Sequence, residues 1–541
     1  MTYVIPRCRL LRPPDGAALL AALAEIAPGL GDYLVAQRWF GSKGRTVGTV
    51  TIVDGAAVPA PGIAAALALL EVAYVKGPPE VYLLPLAARP MADAEARLEP
   101  PLPALARLGV PGGDWLLYDG LEDPAVGEAL LRLMEEADRL ATAAGALLFD
   151  RTPVLSQAAA GVHPVPLRHI RRLRGEQSNT SVAFDDRLLL KVYRRLAAGE
   201  NPDLEVSRFL TLKGRFRHIP LLAGFAEYAG ADARRTVAVL QTFIPNQGDG
   251  WAWTLGALRE FYAAARPRAV PGTSEHTLAV VVGLTPEYMA GARRLGEVTG
   301  ELHAALASDA GDPAFAPEPV VPEDLRAWAA AIEAEIDEAL AGLRTAGDRA
   351  AHAQRPGIDR ILAAAGTVRE KVARAIGRLA GVTLWKTRIH GDYHLGQVLR
   401  RAGAGDEFVI TDFEGEPARP LAARRAKHSP LRDVAGMLRS FTYASYAGFF
   451  EAVAEHRDAA RALEPWRAAW ETAAADAFLA GYRAVTVERG VVIVPPARDV
   501  MARLLSIFCL EKAAYELSYE LNNRPAWLPI PLAAFTRELA A

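Results

Sequence analysis

At 541 residues the chain is too long for one simple core, so two or three domains are expected. Its 61 basic and 63 acidic residues leave a net charge of −2, which gives no electrostatic case for nucleic acid or an acidic membrane as a partner. The composition, 51% hydrophobic and 23% charged, is that of an ordinary soluble globular protein, and two cysteines, Cys8 and Cys509, build neither a disulfide framework nor a zinc site. Reduced thiols in a cytoplasm are the expected state.

Arg7, Arg9 and Arg12 precede an apolar piece, Ala17 to Ala24, bracketed by Asp15 and Glu25. This reads as an amphipathic helix rather than a signal peptide. The aromatic pair of Gln37-Arg38-Trp39-Phe40-Gly41-Ser42-Lys43-Gly44-Arg45 lies beside a basic, Gly-containing turn. Such a turn could bind phosphate or sugar, but a helix end with packed aromatics and a Gly cap is the simpler reading. Val50 to Gly55 ends in a turn signal. Val72–Val75 and Val81–Leu86 look like paired strands around Gly77-Pro78-Pro79, and Trp115–Gly120 like another. The Ala-rich run from Ala64 to Val75 contains Glu71 and is too short to span a bilayer. Residues 1–125 are thus expected to form an N-terminal α/β cap. Glu122 to Ala144 reads as a helix with Leu130, Leu133 and Met134 near one face, followed by a Pro-containing linker.

Residues 126–247 are expected to form a strand-rich domain. The polar stretch Gln177, Ser178, Asn179 and Thr180 lies between strands, where small side chains and backbone N–H groups suit phosphates. Strands Ser181–Phe184 and Leu188–Tyr193 flank an Asp185-Asp186 turn. Lys191 sits mid-strand among apolar neighbours. A lone lysine there usually faces solvent, whereas in a kinase N-lobe it reaches the α/β-phosphates and is held by a helical glutamate. Asn201-Pro202 starts the next helix, which offers Glu205. Arg235–Ile244 reads as a buried strand running into a hinge turn, Pro245–Gly248. By position alone, adenine would sit against backbone near Gln241 and Phe243.

Residues 248–541 read as a helical domain. Tyr288–Leu306 is a good amphipathic helix in which His303 is a core histidine rather than a ligand, and Glu323–Leu343 and Ile358–Leu379 read as long helices. Then comes His390-Gly391-Asp392-Tyr393-His394-Leu395-Gly396-Gln397-Val398-Leu399, followed by Val409-Ile410-Thr411-Asp412-Phe413-Glu414. A strand–loop–strand hairpin would bring Asp392, Gln397 and Asp412 together at one end. Phosphoryl transfer needs such a set: a base that orients a hydroxyl, Asp392, and oxygen ligands for Mg²⁺, the Gln397 carbonyl and the Asp412 carboxylate. ATP and Mg²⁺ are therefore the expected cofactors. Near the C-terminus, Lys512, Tyr515 and Tyr519 fall at i, i+3 and i+7 on one helix face. Two tyrosines and a cation suit a sugar, although on the residues alone ordinary packing in an amphipathic helix is the simpler reading.

His390–Leu399 resembles the catalytic loop of aminoglycoside-phosphotransferase-type kinases, which have Asn where this chain has Gln397. The block Asp412–Pro417, Arg419-Pro420-Leu421, Arg424-Arg425, Lys427 and Ser429–Ser440 resembles bacterial maltokinases, alone or fused to trehalose synthase. So do residues 37–45, 176–181 and 201–205, and the Tyr-Glu-Leu…Asn-Arg-Pro…Trp ending. The resemblance implies an α+β, two-lobe protein-kinase-like fold with a cap. It also implies ATP-dependent phosphorylation of maltose at its anomeric hydroxyl, giving maltose 1-phosphate for α-glucan synthesis, with trehalose synthase as a candidate partner. It places Lys512, Tyr515 and Tyr519 on the maltose, with His394 counted in the same acceptor set. Two alternatives stay open: a kinase of the same fold acting on glucosamine or an aminoglycoside, and a non-catalytic partner of trehalose synthase.

Overall fold

The computed structural model describes residues 3–98, 103–159, 169–174, 178–346, 354–403, 407–455, 460–491 and 493–540. They fall into two compact units, residues 1–208 with 220–245, and residues 209–219 with 246–541.

In the first unit the strands are β1 (Arg7–Arg9), β2 (Val47–Val58), β3 (Ala64–Tyr74), β4 (Glu80–Pro90), β5 (Ala104–Val110), β6 (Gly113–Asp119), β7 (Arg139–Ala141), β8 (Gly145–Arg151), β9 (Ile170–Leu173), β10 (Asn179–Phe184), β11 (Leu188–Tyr193), β12 (Arg195–Leu196), β13 (Leu222–Gly230) and β14 (Arg234–Thr242). One sheet runs β1-β5-β6-β4-β3-β2, with β12 added to β4, and the other runs β7-β8-β13-β14-β11-β10-β9. The Ala-rich run is β3, and its composition follows from burial on both faces. Ala66, Ala68 and Leu70 pack with Leu19 and Leu23 of the helix Gly16–Ile26, while Leu67 and Leu69 face the other way. The small side chains let the helix come close, since a Cβ on Gly16 would sit 2.4 Å from the Ala65 carbonyl oxygen.

The core behind Leu67 and Leu69 is shared. Val126, Leu130 and Leu133 of the helix Pro124–Glu136 lie in it, together with Val182, Leu190 and Val192 of the second sheet. Cap and second sheet are therefore built on one apolar interior.

Three local expectations change. Asp54-Gly55 is not a turn, because β2 continues to Val58 through a register shift between Ile52 and Asp54. The Asp54 carboxylate instead accepts from Gly55 N, the Thr142 and Tyr228 hydroxyls, and the N–H groups of Ala143 and Ala144. The helix expected to reach Ala144 stops at Glu136, where Ala137 turns left-handed at φ 52°, and the β7–β8 hairpin follows. Trp39 and Phe40 are core residues packed on Tyr82, and the preceding helix ends at Ala36 without a glycine cap.

Helices dominate the second unit. Pro286–Leu306 and Ala460–Thr486 cross on glycines. A Cβ on Gly296 would lie 1.9 Å from the Phe478 carbonyl oxygen, and one on Gly481 would lie 1.9 Å from that of Arg293. His303 is fully buried in this packing and bonds Tyr482 and Asp433. The stretch Ile358–Leu379 is broken at Ala364 into Arg355–Ala363 and Ala365–Gly377. Pro245–Gly248 was read as a hinge turn, yet Asn246–Asp249 is a strand paired with Val398–Arg401, which in turn pairs with Phe408–Ile410. Among the described residues no helix is long and apolar enough to cross a membrane.

Candidate active site

The loop between Ile389 and Val398 is held from behind by a residue that sequence reasoning passed over. Asp433, near the start of the helix Leu431–Glu455, accepts from His390 N at 2.7 Å, Gly391 N at 2.9 Å and His303 Nε2 at 3.1 Å. Burial pushes its carboxyl up, but the His303 bond and charge, with the loop N–H groups, outweigh that and hold it below the usual range. His390 Nε2 donates to the Thr411 carbonyl at 2.9 Å, so Nδ1 is the acceptor for Asp392 N at 3.3 Å. One buried imidazole thus ties the Asp392 loop to the segment carrying Asp412.

Gln397 ends a short 3₁₀ turn, and its Nε2 donates to Asp412 Oδ2 at 2.9 Å. Asp412 has φ 67°, an unusual backbone for a residue with a side chain, at the point where the strand Phe408–Ile410 ends. The expected pairing of Gln397 with Asp412 is therefore present. Their amide and carboxylate oxygens make a hard donor set of the kind that fits Mg²⁺.

Asp392 lies on the wall of a cleft of about 510 Å³ that His394, Lys512, Tyr515 and Tyr519 also line. The three helical residues share one face as their spacing predicts. Lys512 Nζ lies 4.8 Å from the Tyr515 ring centre, and the two tyrosine rings stack at 6.3 Å. Lys512 Nζ also reaches Asp392 Oδ1 at 3.4 Å and Glu416 Oε1 at 2.6 Å. His394 Nδ1 accepts from Gly396 N at 3.0 Å, which leaves the ring proton on Nε2. Burial is the main cause of its lowered pKa, and it favours this neutral form.

Further aromatic residues of the lining were not foreseen. Trp251, Tyr443 and Trp527 belong to it, with Trp527 6.0 Å from Tyr443 and 6.4 Å from Trp251. Arg524 stacks between Tyr519 at 5.3 Å and Trp527 at 4.9 Å. Two carboxylates on the cleft carry cations already, Glu516 with Arg439 at 2.6 Å and Glu520 with Arg524 at 2.7 Å. Asp249, on the same lining, accepts from Ala252 N at its helix cap and makes no ion pair among the described residues. The signal was present in the sequence as Lys512, Glu516 and Glu520 at i, i+4 and i+8, a charged stripe on a helix face that also carries tyrosines.

In the first unit Lys191 is buried, with Nζ 3.0 Å from Asp203 Oδ2, and the Tyr193 hydroxyl donates to the same oxygen at 2.8 Å. Asp203, two residues before the expected Glu205 in the same helix, is thus one carboxylate on the lysine, and Glu205 is also buried. Asn201 caps the helix as expected, through Oδ1 and Asp203 N. Thr180 Oγ1 accepts from the buried Arg194 Nε at 2.8 Å, which leaves its O–H proton as a donor. Ser178 is exposed and Asn179 half-buried at the start of β10, while Gln177 lies outside the described residues. Gln241 sits in a strand paired on both sides, and its side chain donates to Ser207. The N–H groups of Thr242 and Phe243 donate to Leu221 and Arg187 carbonyls. An adenine would have to use other groups than these two N–H donors.

Comparison with known proteins adds the following. The maltokinase N-terminal cap domain family matches residues 33–123. A glucosamine kinase of Mycolicibacterium smegmatis is 31% identical over 291 residues, 53% of this chain and 60% of that protein, so the chain spans less than two thirds of that relative's length. One of Streptacidiphilus jiangxiensis is 27% identical over 374 residues, 69% of this chain and 74% of that protein. A solved glucosamine kinase in complex with glucosamine, ADP and inorganic phosphate aligns over 95% of this chain and 98% of its own, with a TM-score of 0.59 and 22% identity. A second glucosamine kinase structure gives 0.61 at 20%, covering 96% and 99%. The fold is thus the one these kinases have: α+β, with a strand-rich N-lobe, a helical C-lobe and an N-terminal cap.

Proposed function

We propose that the protein is an ATP-dependent sugar kinase whose acceptor is maltose, phosphorylated at its anomeric hydroxyl. The observation that supports this reading is the aromatic lining of the cleft around Asp392, where Glu516 and Glu520 already have cationic partners. Its volume of about 510 Å³ lies within the range of small-molecule pockets, roughly 300–1,000 Å³. The aromatic residues Trp251, Tyr443, Tyr515, Tyr519 and Trp527 of its lining suit the C–H faces of a disaccharide. A neutral acceptor leaves the ion pairs intact, whereas an ammonium sugar would have Asp249 as its counter-charge outside those pairs.

Asp392 orients the hydroxyl and receives its proton as the sugar oxygen bonds to the γ-phosphorus. The bond from that phosphorus to the bridging oxygen breaks, and ADP leaves with the electron pair. His394 donates from Nε2 to an acceptor oxygen. Gln397 and Asp412 would hold Mg²⁺, which when bound neutralises charge on the phosphates. Lys191, with Asp203 and Glu205 on the helix beside it, would take the α/β-phosphates, and the residues around Ser178 and Asn179 would cover them. Positioning rather than covalent chemistry supplies the rate. The product is a glycosyl phosphate suited to a glucan-extending transferase.

A second reading is favoured by the curated relatives, which are glucosamine kinases. ADP release with maltose and with glucosamine separates the two. The first reading expects turnover on maltose, lowered by roughly 10²- to 10⁴-fold in Asp392→Asn with ATP affinity little changed. Turnover on glucosamine alone would replace it with the second.

A further inference from the structure

Lys512 stands between two carboxylates that hold it unequally. The contact to Glu416 is 2.6 Å and the contact to Asp392 is 3.4 Å. Glu416 is itself fixed, being 6% exposed and bound by Arg419, which also reaches Glu511 at 3.4 Å and Glu335 at 3.5 Å. Arg432 meets Glu511 at 2.7 Å. Gly415, at φ 70°, makes the turn that brings Glu416 back towards the Asp392 loop, and Gly391, at φ 86°, would place a Cβ 3.3 Å from the Gly415 Cα. The Glu416 carboxyl is held down to about 2, against the upward push of burial, by Lys512, Arg419 and Arg432 in that order. It therefore stays charged at any working pH.

We infer that Glu416 is a positioning residue that acts on Asp392 through Lys512, drawing the ammonium away so that the aspartate stays open to the acceptor hydroxyl. Without that pull the flexible lysine would close on Asp392 as a direct ion pair. The carboxylate would then be engaged by a cation instead of by the sugar. This rests on the reading of Asp392 as the group that receives the hydroxyl proton.

The test is kinetic. Glu416→Gln is expected to lower kcat by up to roughly 100-fold, as a misplaced catalytic group does, with KM for ATP unchanged. The lysine's charge then falls on Asp392 alone, so the acid limb of the kcat profile should move down by about one pH unit. Lys512→Met should move that limb up. In the Glu416→Gln/Lys512→Met pair, the second change should recover part of the kcat lost to the first, because the lysine that closes on the base is gone.

The other charged or titratable groups around Lys512 stay the same across the series. They include His394 on the loop, Asp249 at the cap of the helix Gly250–Ala265, Arg419 after Glu416, Arg432, Asp433 and Arg439 on the helix Leu431–Glu455, and Glu511, Tyr515, Glu516, Glu520 and Arg524 on and after its own helix. A Glu416→Gln enzyme whose acid limb stays in place, or additive losses in the double variant, would overturn the inference. If Glu416→Gln does not fold, Glu416→Asp carries the same test. It withdraws the charge by one methylene, so a smaller downward shift is expected and no shift overturns the inference. Full activity in Asp392→Asn would instead remove the reading on which it rests.

Discussion

Tyr519 is the most open aromatic residue of the acceptor cleft, at 43% exposed, and it contacts both Tyr515 and Arg524. Its truncation should raise KM for the sugar several-fold while KM for ATP stays put, and steady-state kinetics with each substrate varied in turn will show it. Equal effects on both would take Tyr519 out of the acceptor site. His428 stacks on Trp328 at 4.4 Å and meets Phe508 edge-on at 5.3 Å, and its Nδ1 accepts from Ser429 N. Burial first, then Arg432 and Arg419, hold its pKa well below the usual 6.5. The unfolded chain therefore takes up a proton that the folded one refuses. Stability is full above 6.5 and falls as pH drops through the window down to the folded value, by up to about 1.4 kcal/mol per pH unit. In His428→Gln the melting temperature should fall less steeply between pH 6.5 and 5. At this scale the sequence was most informative where chemistry is local. Asp392, Gln397 and Asp412 were legible from short spacings, and so was the lysine–tyrosine face. Asp433 and Glu416 were not, because their partners lie tens of residues away and each looks like an ordinary surface acid when read alone.

Helix crossings in the second unit depend on backbone contact. A methyl group at Gly481 would strike the Arg293 carbonyl, so Gly481→Ala should destabilise by roughly 1–3 kcal/mol or more, read by thermal unfolding. Gly256 lies in the helix Gly250–Ala265 with nothing within 4 Å of an added Cβ, so Gly256→Ala should stabilise by roughly 0.5–1 kcal/mol. If both changes had the same sign, the packing described for the crossing would be wrong. Element type was readable from periodicity for the helix ending at Leu306 and for the hairpin around Asp185-Asp186, whose two turn residues both have positive φ. Boundaries were harder. Asp54-Gly55 has the composition of a turn, but its carboxylate is consumed by Thr142, Tyr228 and three backbone N–H groups, most of them far away in sequence, so the strand runs on. The Ala-rich β3 shows no alternation because both of its faces are covered.

Over the whole molecule, the order of cap, strand-rich region and helical region was legible from composition and motif order. The expected cap boundary at 125 falls in the first turn of the helix Pro124–Glu136, whose apolar residues sit in a core common to both sheets. Removing residues 1–123 would strip Leu67, Leu69, Leu83 and Tyr118 from that core, so the truncated chain should be recovered aggregated or unfolded by circular dichroism rather than as a working kinase. A folded, active truncation would contradict the shared interior. The identity of the acceptor is where the account is most exposed, because neutral-sugar recognition rests on the aromatic lining and the paired Glu516 and Glu520, while Asp249 on the same cleft has no cation among the described residues and the curated relatives are glucosamine kinases. The decisive measurement is ³¹P and ¹H NMR of the product formed from ATP with maltose and glucosamine both present. A phosphate coupled to the anomeric proton of maltose is the predicted result, and phosphorylated glucosamine with maltose untouched would contradict it.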